Sequence, residues 1–231
     1  MITPDGWFDW AIKHPGPQAK SGYGGLKDSD AQGVVYHSAE GYRATLLALV
    51  DNMQREASWT ASNMKNGDFI QHYPATRIVW TNGSKQANIL YRGIESEGMA
   101  GEPLTDAQVA NLTRCAQDMA EFFNWPAIER KAQLWEHNEM KPLGSLPTAC
   151  PSGRIPWDKV LGGLDMPLST QDLQAIREIV KQEMEVYIGD PAYYTQGRKV
   201  LEFLNESDNW VVSEVGRHTT EEANRIIGEL K

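Results

Sequence analysis

The stretch GVVYHSAEGYRATLLALVDNMQRE, from Gly33 to Glu56, decides the predicted fold because it joins a strand to a helix. Its first part is a short apolar run that ends in polar and glycine residues, which is typical of a buried strand. In its second part, apolar residues recur at helical spacing, which predicts an amphipathic helix. The residues of this stripe are Leu46, Leu49, Val50 and Met53. A strand that leads directly into a helix indicates a sheet with helices packed on it.

A hairpin and another strand are predicted downstream. In SWTASNMKNGDFIQHYP, residues 58–74, Asn66 and Gly67 lie between two alternating runs, which is typical of a β-hairpin. The segment NILYRGIESEG, residues 88–98, is a further strand candidate.

A long helix is predicted to begin at Thr105. Gln108 follows three positions later, which forms the capping-box pattern of a helix start. The apolar face of this helix runs from Val109 to Phe123. Strands and helices mixed in this order predict an α/β fold, with a central mixed β-sheet flanked by helices.

The turn-rich segment GGLDMPLS, residues 162–169, predicts a boundary between two parts of the chain. We therefore expect one domain at residues 1–164 and a small, mainly helical appendage at residues 165–231. An apolar stripe between Leu173 and Met184 predicts the main helix of the appendage. The excess of acidic residues is larger in the appendage than in the domain that precedes it.

The composition excludes several classes of protein. A net charge of −9 and a pI near 5.1 argue against a nucleic-acid binder, which would present a basic face. No apolar run approaches the roughly 20 residues of a membrane span, so no membrane insertion is expected. The start, MITPDGWFDWAIKHPG, has no signal-peptide pattern, so we expect synthesis in the cytoplasm. Two cysteines make no disulfide framework, and Cys115, in the predicted helix, is interpreted as a packing residue.

Three residues carry donor groups that suit a transition metal. His37 stands at the end of the first predicted strand, where functional groups are common, and His137 and Cys150 lie in a loop-rich region. Two imidazoles and one thiolate suit zinc, and three protein ligands leave the fourth tetrahedral position open, as in catalytic sites. The spacing matches no compact zinc signature. From the residues alone, hydrogen-bonded histidines and a small buried cysteine therefore remain the alternative interpretation.

Four segments, taken in order, resemble the motifs of one enzyme family. They are VVYHSAEG, SWTASNMKNGDFIQHYP, YRGIESEG and EHNEM followed by PTACPSGRIPWDKV, which together cover roughly residues 30–160. They resemble the zinc-dependent N-acetylmuramoyl-L-alanine amidases of type 2, a family that includes phage lysins, bacterial muropeptide amidases and animal peptidoglycan recognition proteins. Each motif alone is weak, but the four in this order are specific. The resemblance implies the fold of that family for the domain.

The resemblance also implies a role for particular residues. The residues that match the zinc ligands of the family are His37, His137 and Cys150. Glu95 matches the carboxylate that takes the proton of the attacking water. Thr148 matches a position, held by lysine or threonine, that helps to stabilise the oxyanion. Glu97 shares a strand face with Glu95 and is the reserve candidate. Two acids on one face are usually a solvated edge, which is the alternative interpretation of this pair.

The chain departs from the family in the region expected to bind substrate. Trp59 and Thr60 stand where many members have a tyrosine or histidine, and the W-H-A-G motif appears as Trp80 to Gly83, without its histidine. We therefore predict an altered substrate cleft that includes Trp59, Thr60 and Trp80. His72 could also line the cleft, and a solvated histidine is the alternative interpretation.

The function implied by the resemblance is hydrolysis of the amide between N-acetylmuramic acid and L-alanine in bacterial peptidoglycan, with zinc as the cofactor. We expect a phage endolysin that is made in the cytoplasm of an infected host and acts on the cell wall. A cytoplasmic recycling amidase fits the lack of a signal peptide equally well. A non-catalytic peptidoglycan-binding module, or a zinc peptidase that acts within the stem peptide, would also be consistent with these motifs.

The appendage, residues 165–231, could bind wall polymers or could pair with another copy of the chain through its helices, which would make a homo-oligomer. Its acidity argues against simple electrostatic adhesion to anionic wall polymers. Four aromatic residues could form a glycan platform or, alternatively, the core of a small domain. They are Tyr187, Tyr193, Tyr194 and Trp210.

Overall fold

A mixed sheet of six strands, with helices on both faces, organises the computed structural model, which describes residues 1–164. The strands are β1 (Ile12–Lys13), β2 (Gly33–Ser38), β3 (Ala61–Asn63), β4 (Phe69–Gln71), β5 (Tyr91–Ser96) and β6 (Leu134–Glu136). The helices are α1 (Arg43–Asp51), α2 (Lys85–Leu90), α3 (Asp106–Phe123) and α4 (Trp157–Gly162). The predicted α/β class is confirmed.

The strands run in the order β1-β4-β3-β5-β2-β6, and only β3 and β4 pair antiparallel. Strand β2 is parallel to both of its neighbours, β5 and β6. All six of its residues are buried, which is why it is apolar along most of its length. The carboxyl ends of β2, β5 and β6 therefore meet at one edge of the sheet.

Helix α3 covers one face of the sheet. Its start matches the prediction, because the Gln108 amide donates to the Thr105 hydroxyl and the Gln108 side chain accepts from the Thr105 amide. The main core lies between α3 and the sheet, and it includes Leu112 and Met119. Tyr36 of β2 reaches across this core and donates its hydroxyl to the carbonyl of Leu112.

Helix α1 packs on the opposite face and is shorter than predicted. It ends at Asp51, and Met53, which was predicted on its apolar stripe, is 55% exposed. The buried ammonium group of Lys20 donates to the backbone carbonyls of Leu49, Val50 and Asn52. A lysine from a distant part of the chain thus binds carbonyls that the helix end leaves without partners.

The hairpin prediction is confirmed, with β3 and β4 joined through a turn in which Gly67 has a φ of +92°. The predicted strand at residues 88–98 begins only at Tyr91, because the preceding residues form α2. Ser84 starts that helix by accepting from the Ala87 amide, a capping pattern that the sequence analysis missed.

No helix within residues 1–164 combines the length and apolar character that a membrane crossing requires. The predicted appendage, with its Leu173–Met184 helix and its four aromatic residues, lies outside the described residues.

Candidate metal centre

The fold brings His37, His137 and Cys150 together at the edge where the parallel strands end. Each offers one ligand atom, and these atoms all lie within 4.8 Å of one another. His37 is the penultimate residue of β2, and His137 follows β6 directly, so the pairing of β2 with β6 sets the two imidazoles side by side. Their ring centroids are 4.5 Å apart. Cys150 reaches the same place from the loop that precedes α4.

His37 is held as a neutral ring with one nitrogen directed into the cluster. Its Nε2 lies 3.0 Å from Oδ1 of Asn82. Its Nδ1 lies 3.7 Å from Sγ of Cys150 and 3.8 Å from Oε1 of Glu95. Burial and, to a smaller extent, the nearby His137 lower the pKa of His37 to about 3. Burial also lowers the pKa of His137. Both imidazoles are therefore neutral at pH 7, which is the state that binds metals.

The Cys150 thiol carries its proton at neutral pH in the absence of a cation. Burial raises its pKa to about 12, with a further contribution from the Glu95 carboxylate. The Ser38 amide donates to Sγ over 3.2 Å and opposes this rise. A divalent cation favours the thiolate strongly enough to reverse such a shift.

The donor set fits a zinc ion. Tetrahedral zinc, with bonds of about 2.0 Å to nitrogen and 2.3 Å to sulfur, places these two atoms about 3.5 Å apart. The distance between His37 Nδ1 and Cys150 Sγ is 3.7 Å. Two imidazoles and one sulfur are also the softer ligands that favour zinc over magnesium or calcium.

Glu95 lies beside this cluster because its position in β5 pairs with His37 in β2. Its side chain is 16% exposed, and its Oε2 has no hydrogen-bond partner among the described residues. Burial raises the pKa of Glu95 to about 8, and Glu40 adds to the rise. Glu97 is different, because its two carboxylate oxygens accept from the amides of Arg43 and Lys65. Of these two carboxylates, Glu95 is the one with an oxygen that no other group of the described residues binds.

Thr148 lies in the same loop as Cys150 and contacts its backbone. Its Oγ1 accepts from the Cys150 amide over 3.2 Å. This bond uses a lone pair of the hydroxyl and leaves its hydrogen able to donate.

Three of the residues predicted to bind substrate lie under the surface. Trp59, Thr60 and His72 are 5%, 0% and 1% exposed, and Trp59 belongs to the core cluster packed against α1. The Trp59 indole donates to Ser62 Oγ. The structure does not bring these three side chains to a place that substrate can reach. His72 is not solvated either, because both of its ring nitrogens have partners within the protein.

Trp80 is only partly buried. Its indole nitrogen donates to the carbonyl of Gly22 over 3.0 Å, and its ring lies 6.1 Å from that of Tyr23. Thr81, at the position of the missing motif histidine, packs over Gly93, where a Cβ atom would lie 2.6 Å from the Thr81 Cβ. Gly93 thus makes room for this departure from the family pattern.

Sequence reasoning missed two residues that organise the site. Buried Arg154 donates to the Ser38 hydroxyl and to the carbonyls of Ser96 and Glu97, so it ties the ends of β2 and β5 together. Asn82 contacts His37, although its segment was noted only for a missing histidine. Neither position carries a local pattern that signals its role, because both act through contacts distant in sequence.

Comparisons with known proteins give the family and the fold. The family model described as N-acetylmuramoyl-L-alanine amidase matches residues 27–153. A search of curated proteins found no match.

Several solved structures share the fold. A selenomethionine derivative of AmpD is 20% identical, with a TM-score of 0.55 over 71% of this chain and 99% of that chain. The endolysin N-acetylmuramoyl-L-alanine amidase LysCS from Clostridium intestinale URNW is 15% identical, with a TM-score of 0.51 over 70% of this chain and 99% of that chain. The Staphylococcus aureus hydrolase AmiA, solved with its ligand, is 16% identical, with a TM-score of 0.52 over 67% of this chain and 80% of that chain.

Proposed function

The chain belongs to the N-acetylmuramoyl-L-alanine amidase family, and from that premise we propose that it is a zinc-dependent hydrolase of bacterial peptidoglycan. The bond cut is the amide between N-acetylmuramic acid and L-alanine. The observation that carries the proposal is the convergence of two neutral imidazoles and a thiol beside a carboxylate that has a free oxygen.

In this proposal His37, His137 and Cys150 hold the metal. When bound, a zinc ion polarises the scissile carbonyl and increases the acidity of the attacking water. The protein contributes the orientation of the three donors, with the adjacent ends of β2 and β6 placing the two imidazoles and the loop before α4 placing the sulfur. The buried position of His37 also keeps bulk water away from one side of the reacting centre.

Glu95 acts as the general base and then as the general acid. Its Oε1 lies 3.8 Å from Nδ1 of His37, and the carboxylate would accept the proton of the attacking water and pass it to the leaving amine of L-alanine. Burial gives this carboxyl a pKa of about 8 in the protein without a cation. With a divalent cation held by the three ligands, the ionised carboxylate would be favoured, which is the form that can accept a proton.

Thr148 supplies a hydrogen-bond donor on the side of the sulfur ligand. Its hydroxyl hydrogen can be directed toward the oxygen on which negative charge develops, while its lone pair holds the Cys150 amide. A donor that is already oriented stabilises the oxyanion without reorganisation during the reaction.

We also infer an endolysin role, in which the protein is made in the cytoplasm of a phage-infected host and acts on the cell wall. Similarity to the fold of the endolysin LysCS supports this assignment. The competing functions are a peptidoglycan-binding module without activity and a peptidase that acts within the stem peptide. The presence of all three donors argues against the binding module.

The test uses the full chain and purified peptidoglycan. We expect the release of intact stem peptides that carry a free L-alanine amine, detected by mass spectrometry. A chelator should stop the release, zinc should restore it, and Cys150→Ala should remove it. Shorter peptides would indicate the peptidase, and sedimentation with the wall without release would indicate the binding module.

A further inference from the structure

The side chain of Asn82 is completely buried, and its hydrogen bonds determine which way the amide points. Its Nδ2 lies 2.9 Å from the carbonyl oxygen of Tyr91 and 3.2 Å from that of Ala87. Backbone carbonyls can only accept, so the amide nitrogen must face them. The amide oxygen must therefore face His37, whose Nε2 lies 3.0 Å away. In the opposite orientation the amide oxygen would face the two backbone carbonyl oxygens, so that three acceptors would meet without a donor.

This orientation also determines the tautomer of His37. Because an amide oxygen only accepts, Nε2 of His37 must carry the hydrogen and donate it. A neutral imidazole has one such hydrogen, so Nδ1 keeps a lone pair. That lone pair faces Sγ of Cys150 and Oε1 of Glu95 at 3.7 and 3.8 Å.

We propose that Asn82 is a positioning residue, which fixes the Nε2–H tautomer of His37 and directs its Nδ1 at the metal. The role rests on the proposed zinc function. Metal-binding histidines commonly donate their second nitrogen to a carboxylate, a backbone carbonyl or water. Here a neutral side-chain amide holds that place, at a position where the family motif W-H-A-G has alanine.

The backbone around Asn82 is held firmly enough for this role. Its amide donates to Oδ1 of Asn88 over 2.7 Å, and its carbonyl accepts from the Ser145 hydroxyl. Gly83 follows with a φ of +74°, and a Cβ atom there would lie 3.0 Å from Nε2 of His137. Asn82 therefore contacts His37 through its side chain, and the lack of a side chain at Gly83 leaves room for His137.

The first test compares the full chain with Asn82→Ala and with Asn63→Ala. Asn63 is a matched control, because its side chain is also fully buried and its Nδ2 donates to the carbonyl of Gln108. Zinc dissociation constants are measured by competition with a chromophoric chelator. We expect Asn82→Ala to weaken zinc binding about 10–100-fold, and Asn63→Ala to change it less than about threefold. An unchanged dissociation constant in folded Asn82→Ala would overturn the proposal.

The second test needs no substitution. Long-range proton–nitrogen NMR correlations of the metal-free wild-type chain report which ring nitrogen of His37 carries the hydrogen. We expect hydrogen on Nε2 and a bare Nδ1, and the opposite tautomer would overturn the proposal even if Asn82→Ala does not fold. The tautomer is measured without metal or substrate, so a failure of the amidase proposal would be seen separately, as a wild-type chain that binds no zinc or releases no peptide.

Discussion

His37 and His72 are equally buried, at 2% and 1% exposure, yet their rings end in different states. Nδ1 of His72 lies 2.9 Å from the His14 carbonyl oxygen and its Nε2 lies 2.8 Å from Ser62 Oγ, so both nitrogens have hydrogen-bond partners. His37 uses Nε2 for Asn82, and its Nδ1 faces the Cys150 thiol at 3.7 Å. The difference shows that a ring nitrogen directed at other possible metal ligands, and not burial, marks a candidate ligand.

The largest expected effect separates these two histidines. His37→Ala removes a proposed zinc ligand, so we expect amidase activity to fall at least about 10³-fold and bound zinc to be lost. His72→Gln keeps one donor and one acceptor, so we expect one zinc per chain, with stability lower by about 1–3 kcal/mol. Metal content by atomic spectroscopy and peptide release are the measurements. If His72→Gln lost zinc while remaining folded, the distinction between the two rings would fail.

A second comparison is between two glutamates near the proposed metal ligands. Glu95 has an oxygen without a partner among the described residues, whereas both oxygens of Glu97 accept backbone amides. We expect Glu95→Gln to lower the rate of peptide release about 10²–10³-fold while zinc binding persists, because the amide cannot take a proton. Glu97→Gln is the control. Its main effect should be a lower melting temperature, with a smaller loss of rate than in Glu95→Gln. Equal losses of rate in the two variants would contradict the assignment of Glu95.

The parts of the fold that obey local rules were predictable from sequence. The hairpin at Asn66 and Gly67 and the capping box at Thr105 depend on neighbouring residues, and both are confirmed. The end of α1 was not predictable, because Lys20 binds its last carbonyls from another part of the chain. A local pattern contains no information about such a contact.

The candidate metal site likewise depends on contacts that a local sequence pattern does not predict. His37, His137 and Cys150 were identified by resemblance, and no rule of spacing would have brought them together. Trp59 is buried in the cluster that α1 covers, and His72 lies between the rings of Trp59 and His14. Whether a polar residue near a motif is exposed is therefore decided by tertiary packing, which a single sequence does not contain.

The stability of the protein should depend on pH through His72. Burial lowers the pKa of His72 to about 4, from an ordinary value of 6.5, while the carbonyl of His14 opposes the shift. Between these values the unfolded chain binds a proton that the folded chain excludes. The stability that neutral His72 contributes is complete above pH 6.5 and is lost as the pH falls toward 4, by at most about 3 kcal/mol.

Denaturant unfolding of zinc-loaded wild type and His72→Gln, from about pH 7 to about pH 4, measures this effect. The wild type should lose more stability than the variant over that interval. Buried His37 has a pKa shifted in the same direction, but it is present in both chains, so the difference between the chains isolates His72. Parallel curves would show that His72 accepts a proton while folded, and therefore that its hydrogen bonds to Ser62 and His14 do not keep the ring neutral.

The smallest effect concerns Ser62, which links Trp59 to His72. The Trp59 indole donates to Ser62 Oγ over 2.7 Å, and that hydroxyl in turn donates to Nε2 of His72. Ser62→Ala leaves one buried donor and one buried acceptor without partners, so we expect a loss of about 1–2 kcal/mol in unfolding free energy. The rate of peptide release should stay within about twofold of wild type, because none of these groups belongs to the proposed metal site.

Ser62→Ala also provides the sharpest test of what makes a ligand. The substitution frees Nε2 of His72, so that His72 now has a bare nitrogen, as His37 does. The His14 ring lies beside it, with the two ring centroids 5.7 Å apart, but among the described residues three His, Cys or acidic ligand atoms come together only at His37, His137 and Cys150. We therefore expect Ser62→Ala to bind one zinc per chain, as wild type does. A second bound ion would mean that one free ring nitrogen in a buried place is enough, and that the convergence of three donors is not the deciding feature.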